Sequence, residues 1–413
     1  MNVQDNLDLV RYFIEQYEKE VRDLKKLNIL IAGKTGVGKS TLINAVFRDE
    51  LARTGIGVPV TQHLERISKD GIPLVIYDTK GLELQPETQE QIRQEILAEI
   101  SRPRRKQDPD EMIHIAWYCI SATSNRIEAY EIDWIRELAQ QMPVILVLTQ
   151  AIGRQYMDLF HEIELQNLPI EAIVPVLAKA FPIDIELTLP ERGLQQLVDR
   201  TIELVPEALT TSFINAQKVD TKRKLDRANR AVLGYTSSAF AAGFTPVPFA
   251  DATILVPLQI GMIAHLTSIF GLAMDKAMIT SVVSAIGGSG GATLVGRSIV
   301  ASLLKLVPGA GTATGGLISG GTAATLTAAM GYAYNQVLYR FAAKFYRNER
   351  IDQSEFTKQL KDAFQNEILR NKKRFLDQDN QLPPPPPSPP DQADQADTAA
   401  GQRADSDESA GRK

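Results

Sequence analysis

The sequence predicts an α/β fold over residues 27–204, a mainly parallel sheet with helices on both faces. An all-α, Gly/Ala-rich domain and a Pro-rich tail follow. Three observations carry this. Short β-rich apolar runs alternate with helical patterns through 27–204. Residues 207–375 read as helical throughout, rich in Ala, Gly and Ser in the middle and basic at both ends. The proline run after Leu382 opens a segment too polar to bury a core, so 376–413 reads as a disordered tail.

Taken in order, residues 1–26 read as one amphipathic helix, with Leu9, Val10, Phe13, Tyr17, Val21 and Leu24 at three- and four-residue steps. Strands are expected at LNILIAG (27–33), LERISKD (64–70), IPLVIYD (72–78), MIHIAWYCI (112–120), PVILVLT (143–149) and EAIVPVL (171–177). Helical patterns fall at 38–49, 87–100, 126–141, about 154–166 and 191–204. This alternation implies parallel pairing with right-handed crossovers. Asp70-Gly71 is a hairpin signal, so 64–70 and 72–78 should pair antiparallel. SRPRRKQDPD (101–110) reads as a charged, proline-broken, exposed loop, and Trp117, Tyr118 and Cys119 as core.

Composition narrows the class. The 413 residues carry a formal net charge of -5, with 44% hydrophobic and 23% charged residues, which excludes a wholly disordered chain. The single cysteine, Cys119, excludes an internal disulfide framework and fits a reducing compartment. His63, His114, His161 and His265 lack metal-ligand spacing, which argues against a structural zinc site. Mild acidity gives no strong nucleic-acid signal. The N-terminus mixes acids into its apolar positions, unlike a secretory signal.

The chemistry concentrates at Gly33-Lys34-Thr35-Gly36-Val37-Gly38-Lys39-Ser40-Thr41, which fits G-x-x-x-x-G-K-[ST] between an apolar strand and the helix TLINAVF. This predicts the phosphate loop of a P-loop NTPase. Its glycines let the backbone wrap a phosphate with N–H groups pointing inward, and the helix N-terminus adds its dipole. Lys39 reaches the β/γ-phosphates and the Ser40 hydroxyl coordinates Mg²⁺. At the end of IPLVIYD stands Asp78-Thr79-Lys80-Gly81. Asp78 can hold the Mg²⁺ through a water there, and the Gly81 N–H can sense the γ-phosphate. Between the two motifs, RTGIGVPVTQH has little apolar periodicity and contains Thr61. That hydroxyl can bind Mg²⁺ and its N–H the γ-phosphate, ordering the loop only in the triphosphate state. A plain surface threonine is the alternative.

GKTGVGKSTLINAVF, then Thr61, then DTKGL resembles a P-loop GTPase of the Era/TrmE–septin superfamily over about 27–204. The resemblance implies GTP and Mg²⁺ as ligands, Lys39 and Ser40 as phosphate and metal residues, Thr61 in switch I, and Asp78 and Gly81 in switch II. It also sets Ala178-Lys179 where the family has its S-A-K loop beside the base. Two departures stand out. The family's N/T-K-x-D motif reads Thr149-Gln150-Ala151-Ile152 here, so the threonine fits but no carboxylate reads the base, and ATP stays open. Leu82, a departure from Ras-like enzymes, which orient water with glutamine there, is the kind of apolar residue the resembled lineage often carries, and intrinsic hydrolysis should be slow or use another group. Gly36 stands where some relatives bind an activating monovalent cation through asparagine, so no potassium stimulation is expected.

Beyond Pro206, segments 231–250, 252–274, 277–296 and 306–339 contain no charged residue, and basic clusters flank them at 218–230 and 340–350. ATILVPLQIGMIAHLTSIFGLAM (252–274) has the length of a bilayer-spanning helix. Membrane spanning with an even number of crossings, peripheral lipid association and a soluble helical bundle or homo-oligomer all remain open. TPVPFADATILVPLQIGMIAHLTSIFG resembles the bacterial helical domain of unknown function that follows Era-type GTPase domains, over about 210–350. The expectation is therefore a cytoplasmic GTPase switch, with possible membrane association through 231–339. Hydrolysis would control docking or oligomerisation of the helical region. A membrane-anchored, barely hydrolysing scaffold and an ATP-using protein are the alternatives.

Overall fold

The computed structural model describes every residue except 1–2, 49–50, 80–85, 107–109, 125, 155, 243–249, 273, 288–319 and 380–413. Contacts cluster the chain into two units, Met1–Asn371 and Lys372–Lys413.

The amphipathic start folds as α1 (Val3–Arg22). β1 (Leu27–Ala32) follows, buried at every position as a strand covered on both faces must be. Next come α2 (Lys39–Val46), a single turn α3 (Leu51–Thr54), then β2 (Ile56–Pro59), β3 (Leu64–Ser68) and β4 (Leu74–Thr79). From there α4 (Pro86–Lys106), β5 (Ile115–Ser121), α5 (Ala129–Ala139), β6 (Val144–Thr149), α6 (Tyr156–Leu165) and β7 (Ala172–Pro175) alternate. A small hairpin, β8 (Phe181–Pro182) with β9 (Thr188–Leu189), precedes α7 (Leu194–Leu204).

The main sheet runs β2-β3-β4-β1-β5-β6-β7. β4, β1, β5, β6 and β7 are parallel, and β3 is antiparallel to both its neighbours. β1 lies between β4 and β5, so the chain leaves it at a topological switch point, where open α/β sheets form a ligand crevice. Alternate residues along each strand feed two cores. Leu27, Ile29, Trp117 and Val147 pack with Leu42 and Ile43 of α2 and Leu197 of α7. Leu30, Tyr118 and Leu146 pack with Ile96 of α4, Trp134 of α5 and Leu159 of α6.

The antiparallel β3–β4 pair turns through Asp70-Gly71 as expected. Two segments differ from expectation. Residues 56–59 form an edge strand exposed along its length. Edge pairing goes through the backbone and needs no apolar periodicity, which is why the pattern hid it. The segment 101–106 is helix, since α4 runs through Pro103 to Lys106. Pro103 gives up one rung of the helix ladder, and the helix runs on to Lys106. β5 also starts later than the apolar run, because the Asn28 side chain takes up the Asp110 and Met112 carbonyls at 2.8 and 2.9 Å.

After Pro206 come α8 (Glu207–Ala216), α9 (Thr221–Ala242), α10 (Ala250–Phe270), α11 (Lys276–Gly287), α12 (Gly320–Tyr346) and α13 (Gln353–Asp379). α9 and α12 run along each other, α10 packs on both, and α1 lies on α10 and α11. Val10 and Phe13 of α1 are thus buried in one core with Ile263, Leu266, Tyr334 and Phe356. α8 sends Leu209 and Phe213 into the sheet's core instead. α10 covers most of the best bilayer candidate, and Ile260, Met262, Ile263 and Leu266 along it are buried within the chain. A helix apolar on all sides suits a bundle interior as well as lipid. Among the described residues, no helix is long and apolar enough to cross a membrane. Most of the turn at 245–251, much of 277–296 and 306–339, and the proline run lie outside the described residues.

Candidate functional site

The phosphate loop occupies the crevice beyond β1. Gly33 has φ +138°, and a Cβ there would stand 2.2 Å from the Cys119 carbonyl oxygen, so only glycine lets the chain pass β5. Gly38, at φ +101°, begins α2 with no side-chain cap. Uncapped first-turn N–H groups are the donors an anion takes. Lys39 is 8% exposed, and its Nζ donates to the Gly33 carbonyl at 2.8 Å and the Lys34 carbonyl at 2.9 Å. Thr35, Gly36, Ser40 and Thr41 are exposed at the crevice, whereas Val37 is buried.

Asp78 sits near the end of β4, in parallel register with Ile31 of β1. That sets its carboxylate one strand from the phosphate loop. Gly81, Leu82 and Glu83 lie outside the described residues. Thr61 is not drawn into the loop. Its hydroxyl accepts the His63 and Leu64 N–H groups at 3.1 and 3.0 Å, and its own N–H bonds the Leu64 carbonyl, closing the turn from β2 to β3. Bringing Thr61 to a metal would require those bonds to be given up.

The segments expected at the base lie beside the loop. The Thr149 hydroxyl donates to the Val37 carbonyl, with the Ile120 carbonyl 3.2 Å away. Thr149 therefore ties β6 to the phosphate loop. Gln150 adopts φ +54° and its Nε2 reaches the Gly36 carbonyl at 3.4 Å. The Ala151 N–H bonds the Val176 carbonyl at 3.1 Å, so the segment leading to Ala178-Lys179 lies alongside. Ala178 is half-buried and Lys179 exposed. Arg192, unremarked in the sequence, donates to the Ala151 and Gly153 carbonyls and sits 4.9 Å from the Tyr156 ring centroid. Ile152, at the position where the resemblance expects a base-reading aspartate, is half-buried.

Lys34 turns outward from the loop. Its Nζ lies 2.9 Å from Glu128 Oε1 and 3.8 Å from Glu131 Oε2, and 5.2 Å from the Tyr130 ring centroid. Burial lowers its titration, but the Glu128 bond, Tyr130 and the Glu131 charge outweigh that and hold it above the ordinary lysine range. Burial pushes the Cys119 thiol up to about 12, against the attraction of Lys39, so that cysteine is packing and not a nucleophile.

A second polar cluster joins this domain to the helices. Arg48, just past α2 and 3% exposed, donates through Nη2 to the Gly71 carbonyl at 2.6 Å and to Asn215 Oδ1 at 2.9 Å. Asn215 in turn donates to the Ser268 carbonyl of α10. The Lys224 ammonium, fully buried, bonds the Asn215 carbonyl at 2.9 Å and the Phe270 carbonyl at 2.8 Å. The Tyr346 hydroxyl also bonds the Phe270 carbonyl, at 2.7 Å. No sequence pattern marks these residues, which lie far apart in the chain.

Among the described residues, no group of three or more His, Cys, Asp or Glu side chains is placed to hold a metal alone. The donors available at the loop, the Ser40 hydroxyl and the Asp78 carboxylate, are hard oxygens that suit Mg²⁺ shared with phosphate oxygens.

Residues 28–150 match the family model described as 50S ribosome-binding GTPase, and residues 214–366 the one described as Domain of unknown function (DUF697). Among curated proteins, Septin-9 of Rattus norvegicus is 24% identical over 149 residues, 30% of this chain and 26% of that protein. Neuronal-specific septin-3 of Danio rerio is 25% identical over 162 residues, 33% of this chain and 45% of that protein. The chain thus spans between a quarter and just under half the length of these relatives. Among solved structures, Cdc11 from Saccharomyces cerevisiae shares 20% identity at a TM-score of 0.26, covering 43% of this chain and 76% of that one. With both family matches falling on the two parts described above, the chain is a P-loop GTPase domain followed by a DUF697 domain.

Proposed function

We propose that this protein is a guanine-nucleotide switch whose state is relayed to its own helical domain. GTP with Mg²⁺ binds at 33–41, with Lys39 opposing the phosphate charge and Ser40 and Asp78 on the metal side. Magnesium, when bound, neutralises β- and γ-phosphate charge as water attacks in line. Thr61 and Gly81 report the γ-phosphate, and hydrolysis, slow because Leu82 cannot orient water, releases them. The released state changes how the helices are held and whether copies of the chain assemble.

One observation carries the relay: the Arg48 guanidinium reaches from the end of α2 to the β3–β4 turn and to Asn215. α2 begins in the phosphate loop, and β4 carries Asp78. Arg48 therefore ties both phosphate-sensing elements to the helix that leads into the bundle. Amide hydrogen exchange of α9 and α10, with GDP and with a non-hydrolysable GTP analogue, tests this. Exchange should differ between the two states in the wild type, and the difference should collapse in Arg48→Ala. Identical exchange in both wild-type states would end the relay reading.

A second reading is a scaffold that binds nucleotide and scarcely turns it over, at a membrane or in an assembly. Leu82 and the absent base-reading carboxylate at Ile152 favour it. Tight binding with no phosphate release in a single-turnover assay would support it. The missing carboxylate also keeps ATP in play, and a competition experiment preferring ATP over GTP would overturn the guanine assignment.

A further inference from the structure

The phosphate loop carries two lysines, and only one, Lys39, lies inside it. Lys34 spends its charge on α5. Its partners Glu128 and Glu131 form the capping box at the start of that helix, the Glu131 side chain taking the Glu128 N–H at 3.1 Å. Glu131 is 2% exposed and Lys34 25%, so a carboxylate with little water around it stands against the ammonium. Glu131's own titration is raised by burial, opposed by the Glu128 N–H and by Lys34. A buried carboxylate without a counter-charge is unfavourable enough to move its surroundings. The cation here comes from the loop residue next to Gly33, which passes so close to β5 that a Cβ there would stand 2.2 Å from the Cys119 carbonyl oxygen.

We infer that Lys34 is a positioning residue of the nucleotide site: clamped between Glu128 and Glu131 of α5, it holds the phosphate loop in the shape that receives a phosphate. It does not itself bind the phosphate. The Lys34 carbonyl, fixed by this clamp, is one of the two oxygens that hold Lys39 Nζ, at 2.9 Å. α5 thereby sets where the phosphate-binding lysine waits. This rests on the reading of 33–41 as a nucleotide site.

The test is equilibrium binding of a fluorescent GDP analogue to the full chain, with urea unfolding measured alongside. Wild-type binding is measured first, and its absence would refute the nucleotide reading rather than the clamp. Lys34→Met should weaken binding about tenfold, the scale of losing a group that orients a ligand-contacting residue. Lys34→Arg, which keeps the ion pair, should restore it. Glu131→Gln combined with Lys34→Met removes the orphaned acid while glutamine still caps α5. That double variant should recover folding stability yet bind as weakly as Lys34→Met, which separates positioning from simple stabilisation. Glu128→Gln loosens the lysine and should also weaken binding. Tighter binding in Glu128→Gln would mean that the freed lysine is a phosphate ligand and would overturn the inference. Wild-type affinity in the double variant would overturn it equally.

Discussion

Lys224→Met is the most demanding test of the joint between the two domains. The ammonium is fully buried and donates to the Asn215 and Phe270 carbonyls at 2.9 and 2.8 Å, with the Tyr346 ring centroid 5.0 Å away. Both carbonyls lie in the last turns of their helices, α8 and α10, where a cation is favoured. Methionine fills a similar volume and donates nothing. The Phe270 carbonyl keeps the Tyr346 hydroxyl, but the Asn215 carbonyl loses the lysine. An orphaned buried acceptor costs about 1–3 kcal/mol. Removing the ammonium also relieves its desolvation, so a net loss of about 2 kcal/mol near neutrality is expected. The pH dependence is sharper. Burial, reinforced by the Arg48 charge and opposed by Asp220, holds Lys224 well below the ordinary lysine value of 10.5. The unfolded chain then binds this proton more tightly than the folded one. Wild-type stability from this site should rise with pH between the depressed folded value and 10.5, by at most about 1.4 kcal/mol per pH unit. Lys224→Met lacks that slope, so its deficit against wild type should widen as pH rises. Urea unfolding of both proteins as pH is raised from 7 toward 10.5 follows the difference. A deficit that stays flat or narrows with rising pH would refute the account of a desolvated ammonium at this joint.

Gly33→Ala should abolish nucleotide binding and destabilise the fold by about 2–4 kcal/mol, since its Cβ would meet the Cys119 carbonyl 2.2 Å away; calorimetry and GDP titration would show it. Phe47→Ala should lose about 3–5 kcal/mol in urea unfolding, because Phe47 stacks on Trp117 at 5.6 Å between centroids and packs edge-on against Phe213. Burial holds His265 below its ordinary value of 6.5, opposed by Glu20 and reinforced by Arg227. The folded chain thus binds that proton less tightly than the unfolded one, and stability from this site should fall as pH drops through 6.5. His265→Gln should flatten that part of the acid-unfolding profile.

Much of the first domain was legible because its signals are local. The motif at 33–41 states its own structural context, strand before and helix after, and both are present. The turn at Asp70-Gly71 pairs β3 with β4 as its residue types demand. What escaped was set by partners outside each segment's own apolar pattern. β2 exists because β3 offers it a backbone to pair with. α1 looked like a separate segment, yet its Phe13 is buried among α10 and α12 residues. Thr61, expected at the metal in the triphosphate state, here accepts the His63 and Leu64 N–H groups. Lys34 reads as one more loop residue until Glu128 and Glu131 are seen beside it.

By itself the amino-acid order determined the alternation of strand and helix, the glycine pattern that admits a phosphate, and the isoleucine at 152 where the family pattern expects an acid, because each depends on neighbours a few positions away. Tertiary structure alone decided which charges meet: Lys34 with α5, Arg48 with Asn215, and Lys224 with two helix ends. It also decided that α10 is covered by α1, α9 and α12, a matter that apolarity leaves open since lipid and a protein interior select the same side chains. Burial brings groups 167 residues apart within hydrogen-bond reach, as at Arg48 and Asn215, and no local pattern encodes such a distance.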